Sequence, residues 1–288
     1  MAAIVRQRDH RYAGLLGLQL HEHGRHRGQD LQGHRTELVL RRQLGPRAHL
    51  GEVEAVDGVR PTVTATAGGQ VEVTGLMAHF AHADDPGNPV IDLQVARLHE
   101  CVAQARARGL ECPVNHLANS PATLSRPSAH FEQVRVGIAC YGLEPIAGRN
   151  HGLRPAMTWS GNVFGLKPID KNEATSYGRT WSADKPGFLA TVDCGYADGL
   201  PRAYQGHLQV GIGERLYPQV GRVCMDQIVV DLGDNPHGIA PGDEATIFGQ
   251  GGMSATELAD AVGTINYEVV CRPTGRTERE YIGGADAQ

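Results

Sequence analysis

Lysine is almost absent from this chain. Lys167, Lys171 and Lys185 are the three in 288 residues, so none precedes position 167. A reaction that needs a lysine early in the chain has no candidate there. No run of about 18 apolar residues occurs, which excludes a membrane-spanning helix. The start lacks a charged stretch followed by an apolar one, so no secretory leader is expected and a cytoplasmic location is. The six cysteines (Cys101, Cys112, Cys140, Cys194, Cys224 and Cys271) form no Cys-x-x-Cys pair. That scatter argues for reduced thiols over a disulfide frame or a zinc site.

What is present begins with a core. Hydrophobic residues make up 41% and charged ones 20%, enough for one large α/β unit with an appendage or for two domains. The net charge of -5 conceals a split, since the first fifty residues hold nine arginines against four acidic residues. A nucleic-acid arm would interleave aromatics and use lysine, and this segment does neither. His21, His23, His26 and His34 could be read as metal ligands, but Arg25 stands where the zincin spacing needs histidine. An organelle transit peptide would be rich in serine, which is missing here. Residues 1–70 are therefore set apart as an unmatched Arg/His-rich segment, with the composition of a high-GC coding sequence translated out of frame. No metal site, nucleic acid or membrane is expected.

The texture changes at Glu72. Val71–Met77 is β-branched and apolar, and Asp84–Asn88 is turn chemistry. Ile91 to Arg108 places Leu93, Val95, Leu98, Val102 and Ala105 near a period of 3.6, predicting an amphipathic helix that stops at Gly109. Strands are predicted at Pro113–His116 and Gln133–Cys140, with a Ser/Pro-rich turn and short helix between them. This βα alternation implies a parallel sheet, and in such sheets ligands gather at the carboxyl ends of strands. Three segments lie there: Met77–Phe80, His116–Ser120 and Val134–Ile138. Asn119-Ser120 opens a helix where N–H groups and a hydroxyl could cradle a phosphate, and Gly137 would allow close backbone approach. Taken singly, His79 reads equally as a core histidine and Asn119-Ser120 as a helix cap.

Past His151, short strands recur with Gly/Pro/Asp turns: Thr158–Leu166, Phe188–Val192, Leu208–Ile212, Gln227–Leu232 and Glu244–Phe248. They predict an all-β barrel or sandwich-like domain, interrupted by a helix over Ala255–Val262 that starts near Ser254 with Glu257 close by. The Gly249–Gly252 cluster lacks the Lys-Ser/Thr of a P-loop and reads as a turn.

Four motifs then occur in order: Ser176-Tyr177-Gly178, Gly195-Tyr196-Ala197-Asp198-Gly199, Gly221-Arg222-Val223-Cys224-Met225-Asp226-Gln227 and Thr264-Ile265-Asn266-Tyr267-Glu268. Together they resemble the alanine racemases, pyridoxal-phosphate enzymes of fold type III, over roughly residues 72–282. Asn235–Gly238 and Arg272–Arg276 are similar to the actinobacterial, corynebacterial-like members. The resemblance implies the C-terminal part of a (β/α)8 TIM barrel over residues 71–148, then an all-β domain over 149–283 and a tail over 284–288. It implies interconversion of L- and D-alanine with pyridoxal 5'-phosphate, supplying D-alanine for peptidoglycan. It also implies a head-to-tail homodimer, each site combining one subunit's barrel with the other's β domain. Carried across, Tyr177 would be the base on the L-alanine face. Tyr196 would line the substrate entry, and the Met225 N–H would hold the carboxylate. Ser120, Gly137, Ile138 and Tyr267 would bind the cofactor phosphate, with Asn119 beside them. Arg135 would meet the pyridine nitrogen, supported by His116, with His79 packed beside the ring.

The family also carries a Lys-Ala-Asn-Ala-Tyr-Gly motif in its N-terminal third. Its lysine holds the cofactor as a Schiff base and acts as the second base. Neither that motif nor the carboxylate-binding segment Lys-x-Asp-Thr-Gly-x-x-Arg is in this sequence, and the three lysines present match no catalytic position. The chain as written is expected to be inactive. Two other readings stand beside that one: a non-catalytic homologue that keeps the β domain and phosphate pocket, and a racemase of related specificity such as serine.

Overall fold

The computed structural model describes residues 36–42 and 71–282. The His21–His34 cluster, the remainder of the Arg/His-rich segment and the 284–288 tail lie outside the described residues. The rest divides into two compact units. The first holds the described residues up to Ala139 together with Glu144–Gly152, and the second holds Cys140–Leu143 and the chain from Leu153.

In the first unit, strand β1 (Thr36–Arg42) pairs antiparallel with β2 (Val71–Ala78), with a register shift between Val39 and Leu40. Helix α1 (Val90–Ala107) follows and buries Ile91, Gln94, Leu98, Val102 and Ala105. The bounds are within a residue of those predicted; Leu93, predicted on the apolar face, is instead 44% exposed and Val95 only half-buried, while Ile91, Leu98, Val102 and Ala105 are the buried apolar positions. They pack with Leu76, Phe80, Leu110 and Leu117 into one core, where each fully buried aliphatic side chain contributes roughly 1.5–3 kcal/mol. Helix α2 (Ser120–Ser125) is the short helix expected after the Ser/Pro-rich turn, and the Asn119 side chain caps it by accepting from the Ala122 N–H.

The two further strands differ from expectation. The parallel alignment is present, because Val114 N donates to Thr74 O, His116 N to Leu76 O, and Ala78 N to His116 O. Only single parallel bridges form, Met77 with His116 and His116 with Gln133. Side chains have taken the ladder positions. Glu132 Oε2 accepts from Asn115 N at 2.8 Å, and Ser120 Oγ accepts from the N–H groups of Gly137 and Ala139. With those amides engaged, Ile138–Tyr141 winds into a 3-10 turn instead of extending as strand.

The second unit contains β3 (Trp159–Ile169), the short β4 (Ala174–Thr175) and β5 (Trp181–Ser182), β6 (Gly187–Val192), β7 (Gln209–Ile212), β8 (Arg215–Val220), β9 (Ile228–Gly233) and β10 (Glu244–Phe248). Six of them close into an antiparallel barrel in the order β10-β3-β6-β9-β8-β7. Val163, Val192, Val210, Ile212, Ile228, Val230, Ala245 and Ile247 are at most 1% exposed. Closure removes every sheet edge, so each strand finds partners on both sides. The five predicted strands are all present. β8 was hidden by Arg215 and Pro218, which break its alternation. Helix α3 (Ala255–Val262) has the bounds predicted, with Ser254 and Glu257 forming a reciprocal capping box. Gly249–Gly252 is a turn, and α4 (Asn266–Val270) is a further helix.

Candidate functional site

The first unit gathers a guanidinium and two imidazoles at the end of β2. Arg135 is positioned by its own N–H, which donates to Ala118 O. Its Nη1 lies 2.7 Å from His116 Nδ1, and its Nη2 lies 3.1 Å from His79 Nδ1 and 2.9 Å from Ala78 O. A guanidinium only donates, so both Nδ1 atoms accept and each ring carries its proton on Nε2. Burial, then the Arg135 charge, holds both imidazoles below the usual histidine range, in agreement with that tautomer. His116 is buried and His79 exposed. The result is a fixed cation whose two supports are neutral, so the net positive charge stays on Arg135.

Beside it, Ser120 is 2% exposed, and its Oγ accepts from Gly137 N at 3.0 Å and Ala139 N at 3.2 Å. A hydroxyl has two lone pairs and one proton. Two accepted bonds leave the Ser120 proton as its donor function. That O–H, polarised by the two amides bonded to its oxygen, is the donor that can meet an anion. A Cβ at Gly137 would meet open space, so packing does not demand glycine there. The amide of Ala139 is a member of this cluster that sequence reasoning missed. Nothing in an alanine's side chain signals a backbone contact.

The second unit brings three of the four motifs together. Tyr177 is 72% exposed and sits in the loop of the β4–β5 hairpin. That loop is strained, with positive φ at Ser176 (61°), Gly178 (74°) and Arg179 (50°). Ser176, at ψ 174°, occupies a region that costs a non-glycine residue about 1–3 kcal/mol. Its Oγ packs on Gly221, where a Cβ would lie only 2.6 Å away. Tyr196 and Met225 are joined through backbone: Tyr196 N donates to Cys224 O and Ala197 N to Met225 O, at 3.0 and 2.9 Å. Gly195 permits this, since a Cβ there would be 2.3 Å from Met225 O. A trans peptide points its N–H opposite to its carbonyl. With Cys224 O turned toward Tyr196, the Met225 N–H faces away from that loop, and both side chains are exposed. Tyr267 is half-buried on α4.

Two other features bear on chemistry. Cys194, next to Gly195, has its thiol pushed up to about 12 by burial, with Asp198 and Asp193 adding to the shift. It stays protonated at neutral pH and is a poor nucleophile. Among the described residues no cluster of histidine, cysteine and carboxylate groups could hold a metal ion. No helix among them is long and apolar enough to cross a membrane.

Known proteins are similar to this chain in sequence and fold. A family model described as alanine racemase, C-terminal domain, matches residues 156–281, and one described as alanine racemase, N-terminal domain, matches residues 48–145. The second match reaches back ahead of Glu72, into the Arg/His-rich segment. The alanine racemase of Corynebacterium efficiens is 63% identical over 215 residues, covering 75% of this chain and 59% of the relative. That of Corynebacterium glutamicum strain R is 57% identical over 212 residues, covering 74% and 59%. Among solved structures, alanine racemase from Corynebacterium glutamicum aligns with a TM-score of 0.63 at 53% identity, covering 73% of this chain and 56% of that one. The enzyme from D-cycloserine-producing Streptomyces lavendulae aligns at 0.72 with 42% identity, covering 77% and 59%. The chain thus spans less than two thirds of the length of the relatives it matches.

Proposed function

The chain belongs to the alanine racemase family, and from that premise we propose that its described residues contribute to sites for interconverting L- and D-alanine with pyridoxal 5'-phosphate. The observation that carries this is the pairing of Arg135 with two neutral imidazoles beside the Ser120–Gly137–Ala139 cradle. A phosphate suits that hydroxyl, and a neutral ring nitrogen suits a donor that cannot give up its proton. The residues present fit the cofactor.

Pyridoxal phosphate, when bound, withdraws electrons from the substrate and so acidifies its Cα–H. The chain's own groups do the rest. Ser120, Gly137 and Ile138 hold the phosphate, with Asn119 fixing the helix start beside them and Tyr267 assigned to the same task by resemblance. Arg135 donates to the ring nitrogen without protonating it, His116 orients the guanidinium, and His79 flanks the ring. That weakens electron withdrawal and disfavours side reactions such as transamination. The phenol of Tyr177 moves the proton on the L-alanine face. The Met225 N–H binds the substrate carboxylate and Tyr196 lines its approach. Two copies in a homodimer are the assembly the family implies.

The second base is the gap. Lys167 pairs with Glu173 at 2.7 Å and is 64% exposed, and Lys185 is 68% exposed. Both sit on the surface of the β unit, as does the exposed Lys171. A catalytic lysine is held rigidly against its cofactor, and all three of these side chains are exposed to solvent. We infer that the 288-residue chain by itself binds the cofactor without racemising alanine. An absorbance titration with pyridoxal phosphate tests the binding half. Saturation is expected for the unaltered chain and at least about a tenfold weaker constant for Arg135→Ala. Equal binding by the two would remove Arg135 from the site.

A further inference from the structure

One side chain of the β unit joins the Tyr196 loop to the Met225 loop, and it belongs to none of the four motifs. Arg276 Nε and Nη2 meet Asp198 Oδ1 and Oδ2 at 3.0 and 3.1 Å, a bidentate pair. Its Nη1 reaches Asp226 Oδ1 at 2.9 Å. Asp198 is buried, and its Oδ2 also accepts from Gly195 N at 2.9 Å. The Asp198 carbonyl accepts from Thr274 N at 3.0 Å and from Thr277 Oγ1 at 3.1 Å. One guanidinium therefore ties together the Tyr196 loop, the Met225 loop and the Thr274–Thr277 segment.

We propose that Arg276 is a positioning residue that fixes the direction of the Met225 N–H. The peptide before Met225 is held through its Cys224 carbonyl by Tyr196 N, and the peptide after it through the Met225 carbonyl by Ala197 N. Arg276 grips the other side through Asp226. Held at both ends, the plane cannot turn, and the N–H keeps its outward aim. Magnitudes favour this role over bulk stability. The Arg276 side chain is 58% exposed and Asp226 60%, and an ion pair so exposed adds little to global folding; Asp198 is 11% exposed, and a lysine at 276 would still leave a positive charge beside it. Geometry is what they supply. Three N–H groups in a rigid plane address two carboxylates at once, which a lysine ammonium cannot reproduce. The inference rests on Met225 N–H as the carboxylate contact.

Arg276→Lys keeps the charge and removes the fork, so it isolates the geometry. The probe is acetate, titrated into the full ¹⁵N-labelled chain while the Met225 amide resonance is followed. Amide exchange of Tyr196 and Ala197 and the thermal midpoint are recorded on the same samples. For Arg276→Lys the account expects acetate affinity at Met225 lower by about two- to fivefold. Exchange at Tyr196 and Ala197 should be faster, with a midpoint close to that of the unaltered chain. Unchanged affinity and unchanged exchange in a folded variant would overturn the proposal. If the unaltered chain shows no acetate response at Met225, the functional reading fails there, and the exchange data alone decide for or against the clamp. If the variant does not fold, the unaltered chain decides. Slow exchange of the Arg276 Nε–H, matching that of the Ala197 amide, supports the proposal, and rapid exchange of Nε–H beside a protected Ala197 amide overturns it.

Discussion

The β unit and the α/β unit satisfy their backbones in opposite ways. In the barrel, the ladder from β10 round to β7 closes on itself, and main-chain groups pair with main-chain groups. In the α/β unit, the segments after β2 meet through single bridges, and side chains of Asn115, Ser120, Glu132 and Arg135 take the remaining positions. A closed ladder tolerates loss of one side chain as a packing defect. A ladder completed by side chains loses backbone satisfaction with each of them, which is far more costly when the site is buried. In the second arrangement the amides of Gly137 and Ala139 end on the Ser120 hydroxyl, and this is where the anion cradle lies.

Asn115 is the most exposed to that logic. It is fully buried, its Oδ1 accepts from Leu76 N, and its Nδ2 donates to Cys112 O and Glu132 Oε2. Asn115→Leu keeps the size and strands those partners, so the α/β unit should lose about 4 kcal/mol, read from amide exchange along β2. In the barrel, Ile228→Ala leaves every backbone bond in place and should cost about 3 kcal/mol, read at β6 and β9. If Ile228→Ala proved the more damaging, the comparison would break.

Titration sharpens the contrast. His116 has a folded pKa below its unfolded value, so as pH falls the unfolded chain takes the proton first. Its contribution is present above about pH 6.5 and is lost as pH falls below that toward the folded value. The urea midpoint for the α/β unit should therefore drop between pH 7.5 and about 5.5. His116→Gln, which keeps an acceptor for Arg135, should flatten that slope, and an unchanged slope would assign the titration elsewhere. The smallest effect is in the β unit: Ser176→Gly should relieve the positive-φ strain and stabilise by about 1 kcal/mol in a denaturant titration. A loss of stability there would mean that the Ser176 side chain contributes more packing than its backbone costs.

The barrel was legible because apolar alternation reports directly on burial, and helices α1 and α3 because their periodicity and the Ser254–Glu257 cap are local signals. The Gln133–Cys140 strand failed for a physical reason. Its amides serve Ser120, and no pattern of hydrophobicity records a hydrogen bond to a side chain seventeen residues away. The candidate site residues were named through ordered motifs and a family resemblance, not through spacing. Arg276 and Asp198 lie 78 residues apart, and their pairing needs the fold to be seen. Ala139 contributes only an amide. The absence of lysine before Lys167, by contrast, is read directly from the sequence.

That absence makes the proposal's central claim testable in one assay. The purified chain, free of host enzyme, is incubated with pyridoxal phosphate and L-alanine, and D-alanine is measured by chiral chromatography against Tyr177→Phe and a protein-free control. The account predicts no D-alanine above the protein-free level for either chain. D-Alanine formed catalytically by the unaltered chain and abolished in Tyr177→Phe would contradict it.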